Sequence, residues 1–192
     1  RRCVLDVREE EATQQAWPNA AFRLIGRLHT CPSVTAGNRW QDARCAAEIR
    51  QRAAGAPTWF AEAAAALTDL PECPCGFIHT DAYLHNCLLR NDGSLLLVDW
   101  DDAGTGPFVT DLAYVCACLA WEGTACNDLI AAFAEGYRTW RQPEPVELAC
   151  LLRTMLFWHL LYADFTNPHA YRLCSRIREQ GPAWAQMLNP CR

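Results

Sequence analysis

The chain has 192 residues, of which 51% are hydrophobic and 20% are charged, and its formal net charge is −5. This composition excludes disordered, collagen-like and low-complexity proteins, which are poor in apolar residues or dominated by glycine and proline. An acidic chain is also a poor partner for nucleic acid, whose phosphates attract basic surfaces. Since no apolar run is long enough for a membrane helix and no secretory signal pattern opens the chain, we expect a globular, cytoplasmic protein without a membrane partner.

All 17 basic residues are arginines, and the chain contains no lysine. Any reaction that needs a lysine amine must therefore obtain it from outside the chain. The 12 cysteines are scattered, with no Cys-x-x-Cys pair and no Cys/His grouping at zinc-finger spacing. Because a chain of this length can form its core without disulfides, we expect reduced, structural cysteines, and a cysteine-rich metal-binding module is a weak alternative.

Hydrophobic periodicity predicts a mainly helical chain with one small sheet in its middle. The predicted elements, in chain order, are a strand at 4–8, helices at 12–29, 39–54 and 58–70, strands at 77–78, 87–90 and 95–98, and helices around 112–119, 129–140, 144–165 and 171–188. The helix at 144–165 is apolar nearly all round, which indicates a central buried position. The sequence NDGS at 91–94 is a strong hairpin signal, and residues 104–107 are interpreted as a tight turn into the next helix.

One segment of the predicted sheet carries the residues that suggest an activity. Residues 79–86, HTDAYLHN, fit the H-x-D-x-x-x-x-N spacing of the catalytic loop of phosphoryl-transfer kinases. In that pattern Asp81 is free to accept a proton from a substrate hydroxyl. A two-residue turn within 91–94 would place Asn86 opposite Asp99, and two hard oxygen ligands side by side suit a Mg²⁺ ion on ATP phosphates. The alternative is that Asp81 and Asn86 only satisfy turns, as these residue types often do.

The longer segment 77–114, FIHTDAYLHNCLLRNDGSLLLVDWDDAGTGPFVTDLAY, resembles the aminoglycoside phosphotransferase/choline kinase superfamily, and more narrowly the bacterial phosphotransferase enzyme family. The H-T-D catalytic loop and the V-D-W-D motif carry the resemblance. It implies an ATP-dependent O-phosphotransferase that acts on a hydroxylated small molecule, an aminoglycoside or an amino alcohol, with ATP and Mg²⁺ as cofactors. The alternative is a non-catalytic truncated lobe that binds a partner or ligand and transfers nothing.

The resemblance also implies roles for five residues. Asp81 would be the catalytic base, and Asn86 and Asp99 would hold the Mg²⁺ ion. His79 would support the catalytic loop, and Asp111 would brace that loop from the following helix. For His79 we expect packing and backbone hydrogen bonds rather than titration, because it stands on a strand that enters the core.

The same resemblance implies a domain organisation. Residues 12–192 match the C-terminal lobe of the family, so the expected fold is mainly α with a small β-hairpin sheet (α+β), like the C-terminal lobe of protein kinases. Residues 1–11 would be a remnant of the N-terminal lobe, in which Leu5 and Val7 would touch adenine. The nucleotide-covering loop and the phosphate-clamping lysine of that lobe are missing, so we expect the chain alone to be catalytically incomplete and to need an N-terminal lobe as its partner.

Acidic residues are candidates for binding a cationic substrate. Asp101 and Asp102 follow the V-D-W motif, although they could equally serve a turn before the next glycine. Glu147 and Asp164, in the helical half, would add to an acidic cleft that attracts an aminoglycoside or a choline-like cation. His85 lies beside the expected metal position and has no assigned role.

Overall fold

The computed structural model describes most of the chain, namely residues 17–31, 38–39, 42–67, 71–123 and 126–189. The predicted N-terminal strand lies outside these residues. The same holds for the segment 1–11, with Leu5 and Val7 of the expected adenine-binding hinge.

The described part of the chain is mainly helical, with seven α-helices and five short strands. The helices are α1 (Trp17–Leu28), α2 (Asp42–Ala53), α3 (Thr58–Ala65), α4 (Val109–Glu122), α5 (Cys126–Arg138), α6 (Pro145–Tyr162) and α7 (Pro168–Leu188). The strands are β1 (Asn38–Arg39), β2 (Cys75–Ile78), β3 (Cys87–Leu89), β4 (Leu95–Leu97) and β5 (Gly104–Pro107). The expectation of a mainly α fold with a small sheet (α+β) is confirmed.

The strands form two small sheets rather than one. Strands β3 and β4 are a hairpin, while β5 pairs antiparallel with β2 and parallel with β1. The strand at 104–107 corrects the expectation of a tight turn, because its residues pair with β2 from Pro107 opposite Cys75 to Gly104 opposite Ile78. A stretch of glycine, threonine and proline has no apolar alternation, so β5 depends on its partner strands rather than on its own propensity.

The hairpin register differs by one residue from the expected one. The loop comprises three residues, 91–93, and Gly93 has the left-handed φ of 80° that such a loop needs at its last position. Asn86 therefore lies opposite Val98, whose backbone nitrogen donates to the Asn86 carbonyl oxygen at 2.9 Å. The predicted two-residue turn was wrong, and Asp99 follows one residue beyond the position that faces Asn86.

Gly76 on β2 is required because the backbone approaches Phe108 closely. A Cβ atom at Gly76 would lie 2.3 Å from Cζ of Phe108, so any side chain there would force the ring away. Phe108 in turn packs on the imidazole of His29, with the two ring centroids 4.5 Å apart. This contact holds the end of α1 next to the start of α4.

The core lies between the helices, and six large aromatic side chains of the described residues are fully buried in it. They are Phe22 on α1, Phe60 on α3, Phe133 and Tyr137 on α5, Phe157 on α6 and Trp184 on α7. The rings of Phe22 and Phe133 meet edge to face, with centroids 5.2 Å apart. A smaller apolar cluster packs α1 against the hairpin. None of the described helices is both long and apolar enough to cross a lipid bilayer.

Helix α6 passes through this core, as its all-round apolar sequence predicts, and both of its ends are fixed by side chains. A capping box at its start pairs the side chains of Glu144 and Glu147 with each other's backbone nitrogens. At its end the guanidinium of Arg52 donates to the carbonyl oxygen of Leu160 at 2.8 Å. A cation is favourable at this helix end, where unpaired carbonyl groups accumulate. The helix stops at Tyr162, three residues earlier than the sequence predicts.

The cysteines whose side chains are described are free thiols. The Sγ atoms of Cys73 and Cys150 lie 4.0 Å apart in the core. Burial raises the pKa of Cys73 to about 12 and that of Cys87 to about 12, so both thiols stay protonated and pack as small apolar groups. Within the described ranges, no group of three or more His, Cys, Asp or Glu side chains could hold a metal ion.

His159 on α6 makes stability depend on pH. Its Nε2 donates to the carbonyl oxygen of Ala170 at 2.8 Å, and burial lowers its pKa from 6.5 to about 4. Because the folded-state pKa is the lower one, stability is complete above pH 6.5 and is lost as the pH falls towards 4. We expect the free energy of unfolding to fall by about 3 kcal/mol from this histidine over that range.

Urea denaturation at a series of pH values measures this dependence, with His159→Gln as the comparison because glutamine cannot be protonated. Burial also lowers the pKa of His79, so the variant should retain part of the slope. A variant that loses stability with acid as steeply as the wild type would contradict the assignment to His159.

Candidate active site

The loop between β2 and β3 begins with a buried, neutral histidine. The Nε2 of His79 donates to the carbonyl oxygen of Val98 at 2.9 Å, and its Nδ1 accepts from the backbone nitrogen of Asp81 at 3.3 Å. Burial lowers the pKa of His79 in spite of nearby carboxylates, so the ring is neutral at pH 7. The imidazole therefore ties the start of the loop to the end of the hairpin.

A second anchor of the loop is the carboxylate of Asp111, which is fully buried in the first turn of α4. Its Oδ2 accepts from the backbone nitrogen of His79 at 2.9 Å, and its Oδ1 accepts from that of Thr80 at 2.8 Å. Burial alone would raise the pKa of Asp111. Hydrogen bonds from His29 and from the loop outweigh it and hold the pKa below its usual range. Thr80 has a left-handed φ of 69°, a conformation that a threonine adopts only when its surroundings enforce it.

Asp111 is also the end of a buried chain of hydrogen bonds from α5 and α6. His29 Nε2 contacts Asp111 Oδ2 at 3.1 Å, and His29 Nδ1 lies 2.8 Å from the hydroxyl of Tyr137. That hydroxyl accepts from Arg141 at 3.0 Å, and Arg141 pairs with the fully buried Glu147 at 2.7 Å. The expectation that Glu147 contributes to an acidic cleft is therefore wrong, because its charge is used inside the protein.

The carboxylate of Asp81 is oriented by two neighbours. The Nδ2 of Asn86 donates both to Asp81 Oδ2 and to its backbone carbonyl, each at 2.8 Å. The hydroxyl of Tyr114, on α4, donates to Asp81 Oδ1. Burial raises the pKa of Tyr114, so the hydroxyl keeps its proton and remains a donor. His85 Nε2 stands 3.4 Å from Asp81 Oδ1, at the solvent side of the loop.

Two side chains at the same end of the hairpin offer oxygen atoms that have no partner in the described part of the protein. One is Oδ1 of Asn86, whose amide nitrogen is already committed to Asp81. The other belongs to the exposed carboxylate of Asp99, where the backbone has a left-handed φ of 63°. An amide oxygen held at a fixed orientation and an unpaired carboxylate are hard oxygen donors, and this set fits Mg²⁺ or Ca²⁺.

Beside Asp81 opens a cavity of about 380 Å³ with an aromatic lining. Its lining side chains include Tyr83, Tyr114, Glu122, Trp158 and Tyr162. Tyr114 and His85 both line the cavity and contact the Asp81 carboxylate, so the cavity is one side chain away from that carboxylate. Cavities of this size that combine apolar walls with a few polar groups are typical binding sites for small molecules.

The two predicted substrate residues lie outside the lining of this cavity. Asp101 and Asp102 are exposed in the turn that precedes β5, and the backbone carbonyl of Asp102 accepts from the Thr80 hydroxyl at 3.1 Å. Burial and then the charge of Asp102 raise the pKa of Tyr162, which lines the cavity, so Asp102 acts electrostatically on that side chain. Asp164 accepts from the backbone nitrogen and the hydroxyl of Thr166 in a local turn.

Comparison with known sequences places this geometry in a family. Residues 4–146 match the sequence model described as the phosphotransferase enzyme family, a stretch that includes the loop, the hairpin and Asp111. The chain belongs to the phosphotransferase enzyme family. The resemblance inferred from segment 77–114 is thereby confirmed.

Among curated proteins, the chain is similar to a homoserine kinase of Methylobacterium radiotolerans. The two sequences are 36% identical over 83 residues, which cover 42% of this chain and 26% of that kinase. The chain thus aligns with about a quarter of the curated relative.

Three solved structures share the fold of this phosphotransferase family member. A choline/ethanolamine kinase family protein from Mesorhizobium loti has a TM-score of 0.62 at 16% identity, and covers 96% of this chain and 70% of its own. An amicoumacin kinase solved with AMP-PNP and Ca²⁺ has a TM-score of 0.56 at 17% identity, and the match covers 94% of this chain and 64% of that kinase. A microcompartment-associated aminopropanol kinase has a TM-score of 0.55 at 17% identity, and the match covers 92% of this chain and 65% of that kinase. The expected kinase-like fold is confirmed.

Several side chains of the candidate active site could not be identified from this sequence alone. Tyr114 and Trp158 look like ordinary members of apolar helices, and His29 ends a predicted helix far from the catalytic loop. The capping pattern E-x-x-E at 144–147 does predict a bonded role for Glu147, and that pattern could have removed it from the acidic cleft.

Proposed function

We propose that this chain is the catalytic-loop lobe of an ATP-dependent O-phosphotransferase whose acceptor is the hydroxyl group of a small molecule. The observation that carries the proposal is the carboxylate of Asp81. Tyr114 and Asn86 fix its orientation, and Tyr114 also lines an aromatic cavity large enough for a small acceptor. Phosphoryl transfer needs little more from a protein than a base, metal ligands and alignment of the reacting atoms.

In the proposed reaction Asp81 accepts the proton of the acceptor hydroxyl while the oxygen bonds to the γ-phosphorus of ATP and ADP leaves. Asn86 and Tyr114 hold the carboxylate in one orientation, and Asp111 holds the loop backbone through two hydrogen bonds. Asn86 Oδ1 and Asp99 would hold Mg²⁺, which when bound neutralises charge on phosphate oxygens.

The proposed acceptor is an amino alcohol or an aminoglycoside. The formal charge of −5 favours a cation over a neutral or anionic acceptor. Three similar proteins are named as kinases of homoserine, choline or ethanolamine, and aminopropanol, which all carry an amine and a hydroxyl.

The chain alone should transfer phosphate slowly, because it offers no lysine to the γ-phosphoryl oxygens. Kinases stabilise the charge of that group with a lysine in addition to metal ions. We therefore expect little ATP-dependent transfer by these 192 residues to a panel of amino alcohols and aminoglycosides. Robust turnover that Asp81→Ala abolishes would show that the lysine-bearing lobe is dispensable.

The competing function is a non-catalytic lobe that binds a ligand and transfers nothing. Adding a lysine-bearing nucleotide-binding lobe of the family distinguishes the two. Transfer that appears on addition supports the kinase, and its absence with every acceptor supports the binding lobe.

A further inference from the structure

A buried chain of polar side chains connects the catalytic loop to helices α1, α5 and α6. Its members follow one another in the order Asp111, His29, Tyr137, Arg141 and Glu147, and each contacts the next within 3.1 Å. The proposed reaction uses Asp111 to hold the loop and gives no role to the other four. Because a buried polar group is costly unless it is paired, the direction of these hydrogen bonds decides what the chain can do.

The hydrogen-bonding capacity of each member fixes the direction of the bonds. The guanidinium of Arg141 can only donate, so the oxygen of Tyr137 accepts from it at 3.0 Å. Burial raises the pKa of Tyr137, so its hydroxyl keeps a proton of its own. Among the described residues the remaining partner of that proton is Nδ1 of His29, which lies 2.8 Å away. The hydroxyl of Tyr137 therefore donates to His29.

This direction makes His29 neutral, with its ring proton on Nε2. Since Nδ1 accepts from Tyr137, the proton lies on Nε2, which donates to Asp111 Oδ2 at 3.1 Å. A positively charged imidazole would point a second N–H at the hydroxyl, and the buried proton of Tyr137 would then have no acceptor. The chain thus ends in a single donor that is aimed at the carboxylate holding the loop.

Close packing keeps His29 and Tyr137 at a fixed separation. A Cβ atom at Gly26 would lie only 2.5 Å from the backbone carbonyl oxygen of Tyr137, so α1 and α5 touch through their backbones. The ring of Phe108 contacts the chain at two places. Its centroid lies 4.5 Å from that of the His29 ring and 4.4 Å from Cζ of Arg141. The imidazole can therefore turn away from its hydrogen bonds only if this packing changes.

We propose, on the basis of the function proposed above, that Tyr137 and His29 are positioning residues for the catalytic loop. The hydroxyl of Tyr137 orients a neutral His29, and the Nε2–H of His29 orients the carboxylate of Asp111. Two of the three donors to that carboxylate are backbone nitrogens of the loop, so His29 is the donor that fixes it from outside the loop. The conformation of the loop that carries the proposed base thus depends on a side chain of α5.

The protonation state of His29 is measured by nitrogen–proton correlation NMR of the 192-residue chain with labelled histidine. We expect a neutral ring at pH 7 with its proton on Nε2. Tyr137→Phe removes only the hydroxyl, and it should shift one histidine Nδ1 signal towards that of a nitrogen without a hydrogen bond. Because His29 is the described histidine that contacts this hydroxyl, the shift assigns the signal. A positively charged ring, or one protonated on Nδ1, would overturn the proposal.

Hydrogen exchange of the loop amides tests whether the chain acts on the loop. The amides of His79 and Thr80 donate to Asp111, so their exchange rates report how firmly that carboxylate is held. We expect both rates to rise about fivefold in Tyr137→Phe, beyond any change in the middle of α6, because one buried hydrogen bond is lost. Tyr171→Phe removes the same atom from an exposed ring on α7 and should leave the rates unchanged.

Unchanged loop exchange in Tyr137→Phe, or a rise no larger than that in α6, would overturn the proposal. Either result would mean that Tyr137 contributes to overall stability and does not hold the loop. Thermal unfolding of each variant verifies that it is folded.

The effect on transfer is measured with a lysine-bearing nucleotide-binding lobe of the family. We expect Tyr137→Phe to lower kcat about threefold to tenfold and to leave the KM for the acceptor unchanged, because the chain acts on the loop and not on the acceptor. In a His29→Gln background the same substitution should change kcat less than about twofold, because the chain is already interrupted. A role of Tyr137 in packing alone would give the same decrease in both backgrounds and overturn the proposal.

These outcomes are distinct from failure of the proposed function, because the NMR and exchange measurements need neither nucleotide nor acceptor. The expected state of His29 and the expected exchange rates, in a protein that transfers no phosphate, would uphold the chain as the support of the loop and overturn the kinase. Transfer with the same kcat in wild type and Tyr137→Phe would uphold the kinase and overturn the positioning role.

Discussion

Replacing Asp111 by alanine should lower the free energy of unfolding by about 3–5 kcal/mol. The substitution removes a fully buried carboxylate that accepts from the backbone nitrogens of His79 and Thr80 and from His29. All three donors would then be buried without an acceptor, and each such group carries its own desolvation cost. The left-handed backbone at Thr80 would also lose the bond that holds it.

Urea denaturation followed by circular dichroism measures this loss. Glu135→Ala, an exposed substitution on α5, is the control, and it should change stability by no more than about 0.5 kcal/mol. A loss below about 1 kcal/mol for Asp111→Ala would mean that the loop finds other acceptors and that Asp111 does not brace it.

Replacing Asp81 by asparagine should reduce the rate of phosphate transfer by about 10²–10⁴-fold in the presence of a lysine-bearing nucleotide-binding lobe. An asparagine side chain can still accept from Tyr114, although its amide nitrogen cannot accept from Asn86 as Asp81 Oδ2 does. The bond from Asn86 to the backbone carbonyl of residue 81 remains, so we expect the loop to keep its conformation. It cannot take the proton of the acceptor hydroxyl at neutral pH. We therefore expect kcat to fall while the KM for the acceptor changes little, because the lost interaction acts on the reacting oxygen.

Tyr114→Phe tests the residue that orients the proposed base rather than the base itself. It leaves the carboxylate of Asp81 in place and removes one of the two groups that orient it. The expected decrease in kcat is therefore smaller than for Asp81→Asn. A larger decrease in the tyrosine variant would contradict the assignment of the base to Asp81.

Local sequence patterns predicted the helices of this fold well, and long-range pairing accounts for the elements they missed. Helix α6 follows from its own apolar residues, whereas β5 exists only because β2 and β1 pair with it. The hairpin was predicted at the correct position in the chain, but its strands pair one residue away from the predicted register. The loop closes with three residues because Gly93 can adopt a left-handed φ, and that choice shifted Asp99 past Asn86.

The candidate site likewise combines residues that local sequence spacing predicted with residues that only the tertiary packing brings in. The linear spacing of Asp81 and Asn86 predicted two groups that the loop brings into hydrogen-bond contact. The partners from other elements, Tyr114 and His29, could not be predicted, since their roles arise only when α4 and α1 pack against the loop. The acidic cleft was predicted from the charges of the acidic residues alone. Glu147 is buried and paired with Arg141, so it does not contribute to such a cleft.

Transfer of labelled γ-phosphate from ATP to an amino alcohol tests the central claim most directly. The assay compares wild type, Asp81→Asn and Glu135→Gln, each with a lysine-bearing nucleotide-binding lobe of the family. We expect a labelled phosphoester with the wild type and with Glu135→Gln, and a rate reduced at least about a hundredfold with Asp81→Asn. Equal rates in all three proteins would contradict the account, because the carboxylate of Asp81 would then have no part in the reaction.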